Sequence, residues 1–348
     1  MRLTLHLLLL VALLLGAGCM DKTSPVHDAQ ILAFGTLIDV SIAGKPLEEA
    51  QAAVVKLEGA FAEMHKNWHA WDPGPLQQTN QKLQKGISFE PDPLVMPLIT
   101  LSIPLAIASE HLFNPAIGHL IDIWGFQGNQ LDCSRLPSDD LISKQLRMAP
   151  RMTDLKLENG LLRSDNPDVK LDFGAVGKGY GVDLAIQILR NLGVDNAIIN
   201  AGGDLRAIGN RGGRPWRIAV RHPAGGILGS LEVEGDESVF TSGDYERKYQ
   251  CDGKTYHHII DPRTGYPAQG TSSVTVIHPD AATADAAATA LFIAGPEDWQ
   301  RIAKRMGIRY VALLDSQGRL HMNPAMAKRL HLLNDQIPVE ISEPLSEH

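Results

Sequence analysis

Residues 171–208 read L-D-F-G-A-V-G-K-G-Y-G-V-D-L-A-I-Q-I-L-R-N-L-G-V-D-N-A-I-I-N-A-G-G-D-L-R-A-I. The pattern predicts a strand, a glycine-rich turn, a helix and a second strand, with Asp172 and Lys178 at the turn. Gly174, Gly177, Gly179 and Gly181 leave backbone free to approach a ligand, and a helix start offers unpaired N–H groups and the positive end of its dipole. Such a place favours phosphate. A P-loop would need Ser or Thr after Gly177-Lys178, where Gly179 stands, and a dinucleotide fingerprint would need G-x-G-x-x-G where the spacing is G-x-x-G-x-G-x-G. A tight strand-to-helix turn with a solvated lysine is the plainer alternative, and this stretch alone leaves both open.

The ends of the chain bound its setting. Arg2, an unbroken apolar run from Leu7 to Leu15, and Gly16-Ala17-Gly18 before Cys19 read as a secretory signal, too short to be a spanning helix. Small residues directly before a cysteine resemble a bacterial lipoprotein cleavage site, although Gly16 stands where Leu is usual. The expectation is a signal peptide over residues 1–18, a lipid on Cys19 and a tether over 19–28, which places the mature chain outside the cytoplasm at a membrane surface. Roughly 320 residues remain, enough for a sizeable core. The formal charge of −8 argues against a nucleic-acid partner. Cys133 and Cys251 form no metal-spacing motif; in an oxidising compartment they could pair, and the sequence leaves this open.

Along the chain, Ile31–Ile42 reads as a first strand, with Phe34-Gly35-Thr36 near its start. Apolar residues at helical spacing from Pro46 to Trp68 predict an amphipathic helix, followed by a polar loop reaching Asn80. A second helix is expected from Pro93 to His111, kinked or divided by Pro97 and Pro104. Gln130–Met152 reads as a short surface helix, and 217–220, 228–233 and 238–241 as strands. Asp285–Phe292 is an alanine-rich helix, and Glu340–His348 a frayed tail. Irregular interleaving of strands and helices favours an α+β fold, a single large domain with a mixed or antiparallel sheet flanked by helices.

Three constellations carry chemistry. Asp285 and Thr289, four apart, present oxygens one turn apart on one helix face, a set that suits Mg²⁺ with a backbone carbonyl from the glycine-rich turn as a third ligand. Their plainer reading is an acidic first-turn residue facing the helix dipole and a packing threonine. His257-His258 precede the Asp261-Pro262 turn; a histidine near a phosphate can take the proton of an attacking hydroxyl, because its ordinary pKa lies near working pH. On a strand the two rings point to opposite faces, so only one can serve a given site. Thr241-Ser242-Gly243-Asp244-Tyr245 adds hydroxyls and a carboxylate at another turn, where Asp244 reads as a turn cap.

Taken in order, N-P-A-I-G-H-L-I-D-I-W-G-F (114–126), the glycine-rich block with A-G-G-D-L, T-S-G-D-Y-E-R (241–247), H-H-I-I-D-P-R-T-G (257–265) and T-A-D-A-A-A-T-A (283–290) resemble the motifs of the ApbE family of bacterial flavin transferases. The resemblance covers nearly the whole mature chain. It implies an ApbE-like, T-fold-like domain over residues 29–335, with a tail at 336–348, that moves FMN from FAD to a Ser or Thr of a target protein and releases AMP with Mg²⁺. It implies that Asp172 and Lys178 contact FAD, that the Ala175 carbonyl, Asp285 and Thr289 hold Mg²⁺, and that Ile259 gives a backbone contact. It further implies that His258 is the base, that Trp71 covers a ring of FAD, and that Phe34, Gly35, Thr36, Asn114, Pro115 and Ala116 line the pocket. Asn114 stands where Asp is usual, and the residues before Trp71 lack the usual serines.

The family resemblance also implies a periplasmic, lipid-anchored enzyme acting on a protein with a D-G-x-[ST]-G-A-[ST]-like site, such as a membrane redox subunit. Asp252-Gly253-Lys254-Thr255 begins like that site but continues Tyr256-His257, so the chain is not expected to be its own acceptor. Two rivals remain at this point: a Mg²⁺-dependent FAD pyrophosphatase, in which water replaces the protein hydroxyl, and a lipoprotein that binds FAD without turning it over.

Overall fold

The computed structural model describes residues 24–126 and 133–345. Cys19, the signal segment and the start of the tether lie outside them. The chain opens with β1 (Val26–Ala33) and β2 (Thr36–Ala43), then α1 (Leu47–Trp68), α2 (Pro75–Gln84), α3 (Met96–Ala108), α4 (Gly118–Trp124) and α5 (Asp139–Met148). A small hairpin, β3 (Leu155–Glu158) and β4 (Leu161–Ser164), precedes α6 (Gly177–Asn191), β5 (Ala197–Ala201), β6 (Asp204–Gly209), β7 (Trp216–Arg221) and β8 (Ile227–Val233). There follow β9 (Gly235–Gly243), β10 (Lys248–Cys251), β11 (Lys254–His257), β12 (Thr271–His278) and α7 (Ala281–Arg305). The chain ends with β13 (Tyr310–Asp315), β14 (Leu320–Met322), α8 (Pro324–Ala327), β15 (His331–Leu332) and β16 (Val339–Ile341).

Among the described residues nine strands form the main sheet in the order β1-β2-β5-β6-β9-β12-β13-β14-β16, antiparallel throughout except for the parallel β14–β16 pair. The architecture is the expected α+β one. On one face α1, α3, α6 and α7 cover the main core; on the other, β15-β8-β7 closes a second apolar cluster around Trp216, Leu231 and Met326. In α1 the buried residues Ala50, Ala53, Leu57, Phe61 and Met64 recur at helical spacing, so one stripe faces the sheet. The front half of α7 is buried alanine, which lets its backbone approach both the sheet and α6. Gly295, at φ 73°, breaks α7 before Pro296, so its two halves are separate helical segments.

Several expectations need correction. The single strand read at 31–42 is a hairpin, with Ala33 opposite Thr36 and both Phe34 (φ 52°) and Gly35 (φ 71°) left-handed, as a two-residue type I′ turn requires. Phe rarely occupies such a position, which hid the turn. β1 also begins at Val26, inside the stretch read as tether. The loop expected up to Asn80 is helix α2, whose buried Leu76, Thr79, Asn80 and Leu83 share a face.

Among the described residues no strand leads directly into the glycine-rich turn. The Asn80 amide instead takes the place of a neighbouring strand, donating to the Leu171 carbonyl at 2.9 Å and accepting from its N–H at 2.7 Å. On the other side Lys170 N–H donates to Ala116 O and Asp172 N–H to Pro115 O. Nor is the C-terminal segment frayed at Glu340, which pairs with His321 in the β14–β16 ladder.

Cys133 and Cys251 form a disulfide, with Cα atoms 5.5 Å apart. It borders a satellite cluster of Leu120, Trp124, Phe126, Ile142, Tyr249 and Ile260. There the Trp124 indole N–H donates to Gly265 O at 2.8 Å. The I-D-I-W-G-F and D-P-R-T-G segments, remote in sequence, thus meet in one apolar cluster.

Candidate functional site

The glycine-rich turn ends in α6, and its first turn differs from the expected open phosphate cradle. Gly177 N–H donates to Phe173 O, and Gly179 N–H donates to Asp285 Oδ2 at 2.9 Å. The Lys178 N–H is the remaining first-turn donor without a partner among the described residues. Two of the four glycines serve packing instead of ligand approach. A Cβ on Gly179 would lie 2.3 Å from the Ala281 carbonyl oxygen, and one on Gly181 would lie 3.0 Å from the Phe34 ring. Gly179 is where α6 and α7 touch, and no side chain fits there.

Around that contact the charges converge. Lys178 Nζ pairs with Asp204 Oδ2, and Asp204 Oδ1 accepts from Thr241 N–H at 2.9 Å. Burial works against the Lys178 charge, but the carboxylates of Asp204, Asp285 and Glu246 outweigh it and hold its pKa above the ordinary lysine value. Burial drives the Asp285 carboxyl upward, with Lys178 opposing. Asp285 Oδ1 has no hydrogen-bond partner among the described residues, and Thr289, on the same face of α7, shares a 3.3 Å hydroxyl contact with Ser242. On a buried aspartate, a carboxylate oxygen left without a hydrogen bond beside a hydroxyl is a donor pair that a hard cation completes. Among the described residues no three His, Cys, Asp or Glu side chains cluster tightly enough to hold a metal by themselves, so backbone oxygen and substrate would have to share the coordination. Ala175 stands in the turn immediately before α6.

His257 ends β11, and His258 lies in the bend beyond it. The His257 ring is fixed by structure: Nε2–H donates to Ala268 O at 2.8 Å, Nδ1 accepts from Ile259 N–H at 3.3 Å, and the ring meets Phe292 edge-on. His258 is different. Its Nδ1 is buried without a partner, and burial, with His257, Lys178 and Arg247 nearby, pushes its pKa down to about 3. It is a neutral imidazole at working pH, not the group titrating near neutrality that its residue type suggested. Ile259 has both backbone groups engaged, since its carbonyl accepts from Ala268 N–H at 2.9 Å. Only the second lone pair of that carbonyl remains for a ligand.

Asp172, Trp71 and residues 114–116 form a ledge beside the turn, joined through Asp122 and the 170–172 backbone. Asp172 Oδ1 accepts from Gly174 N–H at 2.8 Å, and burial raises the carboxyl's pKa. Trp71 is exposed, held by its indole N–H on Asp122 Oδ1 at 2.9 Å and by edge contact with His69. It borders an open cavity of about 290 Å³ with Gln77, Gln81, Gln84 and Lys170. Asn114 donates to Pro150 O at 2.9 Å and accepts from Ala116 N–H at 3.2 Å. An ionised Asp could accept but not donate, so the amide fits this turn where a carboxylate would face the Pro150 carbonyl. Phe34 turns inward against Phe61 and Trp68, while Gly35 lies beside the Arg247 guanidinium and Thr36 beside Gly202.

Residues 34–312 match the model of the ApbE family. The chain belongs to the ApbE family. A Rhodobacter capsulatus relative named FAD:protein FMN transferase is 40% identical over 97% of this chain, which spans 65% of that relative's length. A Vibrio cholerae protein of the same name is 29% identical over 86% of the chain and 90% of its own. Among solved structures, the ApbE protein of Thermotoga maritima superposes with a TM-score of 0.80 at 28% identity, over 88% of this chain and 99% of that one. For the flavin transferase ApbE of Vibrio cholerae the TM-score is 0.77 at 25% identity, over 88% and 100%.

Asp204 is a residue of the candidate site that residue-type reasoning missed. The A-G-G-D-L block held the signal, but only the fold shows that its aspartate grips Lys178.

Proposed function

We propose that this protein transfers FMN from FAD to a Ser or Thr hydroxyl of a target protein, releasing AMP. The observation that carries the reading is the convergence of Lys178, Asp204, Asp285, Thr289 and His258 at the start of α6, in a chain whose relatives bear that activity in their names.

Asp285, Thr289 and the Ala175 carbonyl are the residues that would hold Mg²⁺, which supplies neutralisation of the pyrophosphate and of the leaving group. Phosphoryl transfer asks for positioning and charge more than for covalent help. Lys178, kept protonated by the carboxylates around it, faces the charge that builds on the AMP oxygen. The acceptor hydroxyl forms a bond to the phosphorus on the riboflavin side as the bond to AMP breaks, and its proton passes to the neutral His258 imidazole. A pKa near 3 would make His258 a weak base, but the dianionic pyrophosphate beside it raises that value once FAD binds. Trp71, Asp172 and residues 114–116 would receive the remainder of the dinucleotide. A lipid on Cys19 would keep the enzyme at the periplasmic face of a membrane, near a membrane redox acceptor; the disulfide supports an oxidising compartment.

The test is to incubate the protein with FAD, Mg²⁺ and a peptide bearing D-G-x-[ST]-G-A-[ST], then weigh the peptide and measure AMP. A peptide heavier by one FMN phosphoryl unit, matched by AMP, is the expected result. AMP and free FMN with an unmodified peptide would make the protein a pyrophosphatase, and bound but unconsumed FAD would make it a carrier.

A further inference from the structure

The two helices that frame the site hold each other by a reciprocal exchange. Gly179 N–H of α6 donates to the Asp285 carboxylate of α7, while Ala281 and Ala282 N–H of α7 donate to Asp183 of α6 at 3.0 and 2.9 Å. On α6 the amide given and the carboxylate returned, Gly179 and Asp183, lie four residues apart, and on α7 Ala281 and Ala282 lie four and three residues before Asp285, about one turn. Two contacts a turn apart, at a crossing that only glycine permits, prevent α7 from sliding or rotating against α6. The remaining early donors of α7 are satisfied by Asp280, whose carboxylate accepts from Thr283 N–H at 2.7 Å and whose carbonyl accepts from Ala284 N–H. The start of α7 is therefore closed to ligands, and Asp183 acts there as an internal clamp.

Asp183 is itself aimed by β6. Arg206 Nη1 pairs with it, and the same guanidinium grips Asp236 at 2.9 and 3.0 Å. Two residues earlier on that strand, and so on the same face, Asp204 grips Lys178.

We propose that Asp183 is a positioning residue for the chemistry: by fixing the first turn of α7 it sets where Asp285 and Thr289 present their oxygens relative to Lys178. The inference rests on the proposed metal role of Asp285 and Thr289. Asp183 acts through the first turn of α7, without itself contacting substrate or metal.

Besides the melting temperature, the experiment measures three quantities in the full-length protein and in Asp183→Ala, Asp183→Asn and Arg206→Gln. They are Mg²⁺ affinity by calorimetry, FAD affinity without metal by flavin fluorescence, and kcat against KM for FAD. Asp183→Ala should weaken Mg²⁺ binding at least tenfold and lower kcat comparably, with KM and metal-free FAD affinity within twofold. Asp183→Asn, which keeps one acceptor oxygen, should fall between. Arg206→Gln, which removes the guanidinium that aims Asp183, should weaken Mg²⁺ binding in the same direction but by less than Asp183→Ala. Asp183 variants that melt earlier yet bind Mg²⁺ normally would overturn the inference while leaving the metal reading intact. An unaltered protein that does not bind Mg²⁺ would overturn both.

Discussion

The corner where β6, α6 and α7 meet and the ledge around Trp71 belong to one candidate site but are built on opposite plans. At the corner three carboxylate and ammonium groups are held by a second charged or backbone group: Lys178 by Asp204, Asp204 by Thr241, Asp285 by Gly179. On the ledge an exposed indole rests on one hydrogen bond and one ring edge, beside a cavity bordered by glutamines. Phosphoryl transfer tolerates little displacement of charge, whereas a ring can be covered by any flat apolar surface. The contrast assigns rate to the corner and affinity to the ledge.

Asp285→Ala is the strongest way to break that assignment. It removes the carboxylate proposed to hold Mg²⁺ and the acceptor of the Gly179 N–H, and AMP release in the presence of acceptor peptide should fall by about 10³-fold or more, with most FAD affinity retained. Full activity in this variant would end the corner's claim to the chemistry.

His258→Ala should cost roughly 10²- to 10⁴-fold in kcat, while His257→Ala should act through stability, because it strands the Ala268 carbonyl and the Ile259 N–H. The pH dependence sharpens the point. With its pKa pushed down to about 3, His258 loses its proton well below neutrality, so kcat/KM should show no step belonging to it between pH 5 and 8. A step near 6.5 that disappears in His258→Ala would show that the free enzyme keeps an ordinary histidine there.

Gly179→Ala tests the crossing itself. The added methyl meets backbone, which cannot swing aside, and chemical denaturation should show a loss of about 2–3 kcal/mol. An unchanged midpoint would mean the helices can part freely.

The smallest effect belongs to the ledge. Trp71→Ala should weaken metal-free FAD binding about tenfold, near 1.4 kcal/mol, and leave kcat close to its original value. A loss of kcat instead would move Trp71 into the chemistry.

What could be read from residues alone follows the same division. The helix after the glycines, the pairing of Asp285 with Thr289, and the strands at 217–220, 228–233 and 238–241 carried local signals of period and spacing. The partners of Leu171, Lys178 and Asp285 did not, because Asn80, Asp204 and Gly179 reach them across long sequence separations. Phe34-Gly35 was missed for a different reason, since a phenylalanine is an uncommon choice for a left-handed turn position. Glycines were over-read as ligand-facing, because spacing cannot distinguish a backbone that approaches a phosphate from one that approaches another helix.

The C-terminal strand has a bearing on how the protein behaves in solution. β16 is three exposed residues long, carries Glu340 in an ion pair with Arg319, and lies against β14 at the outer margin of the main sheet. A short charged strip of this kind is a poor template for a foreign strand. Shortening the chain before Val339 would spare every residue of the candidate site, but it would uncover the row of backbone groups on β14 and take buried Leu345 out of the main core, so the truncated protein would be less stable and a better template for a foreign strand.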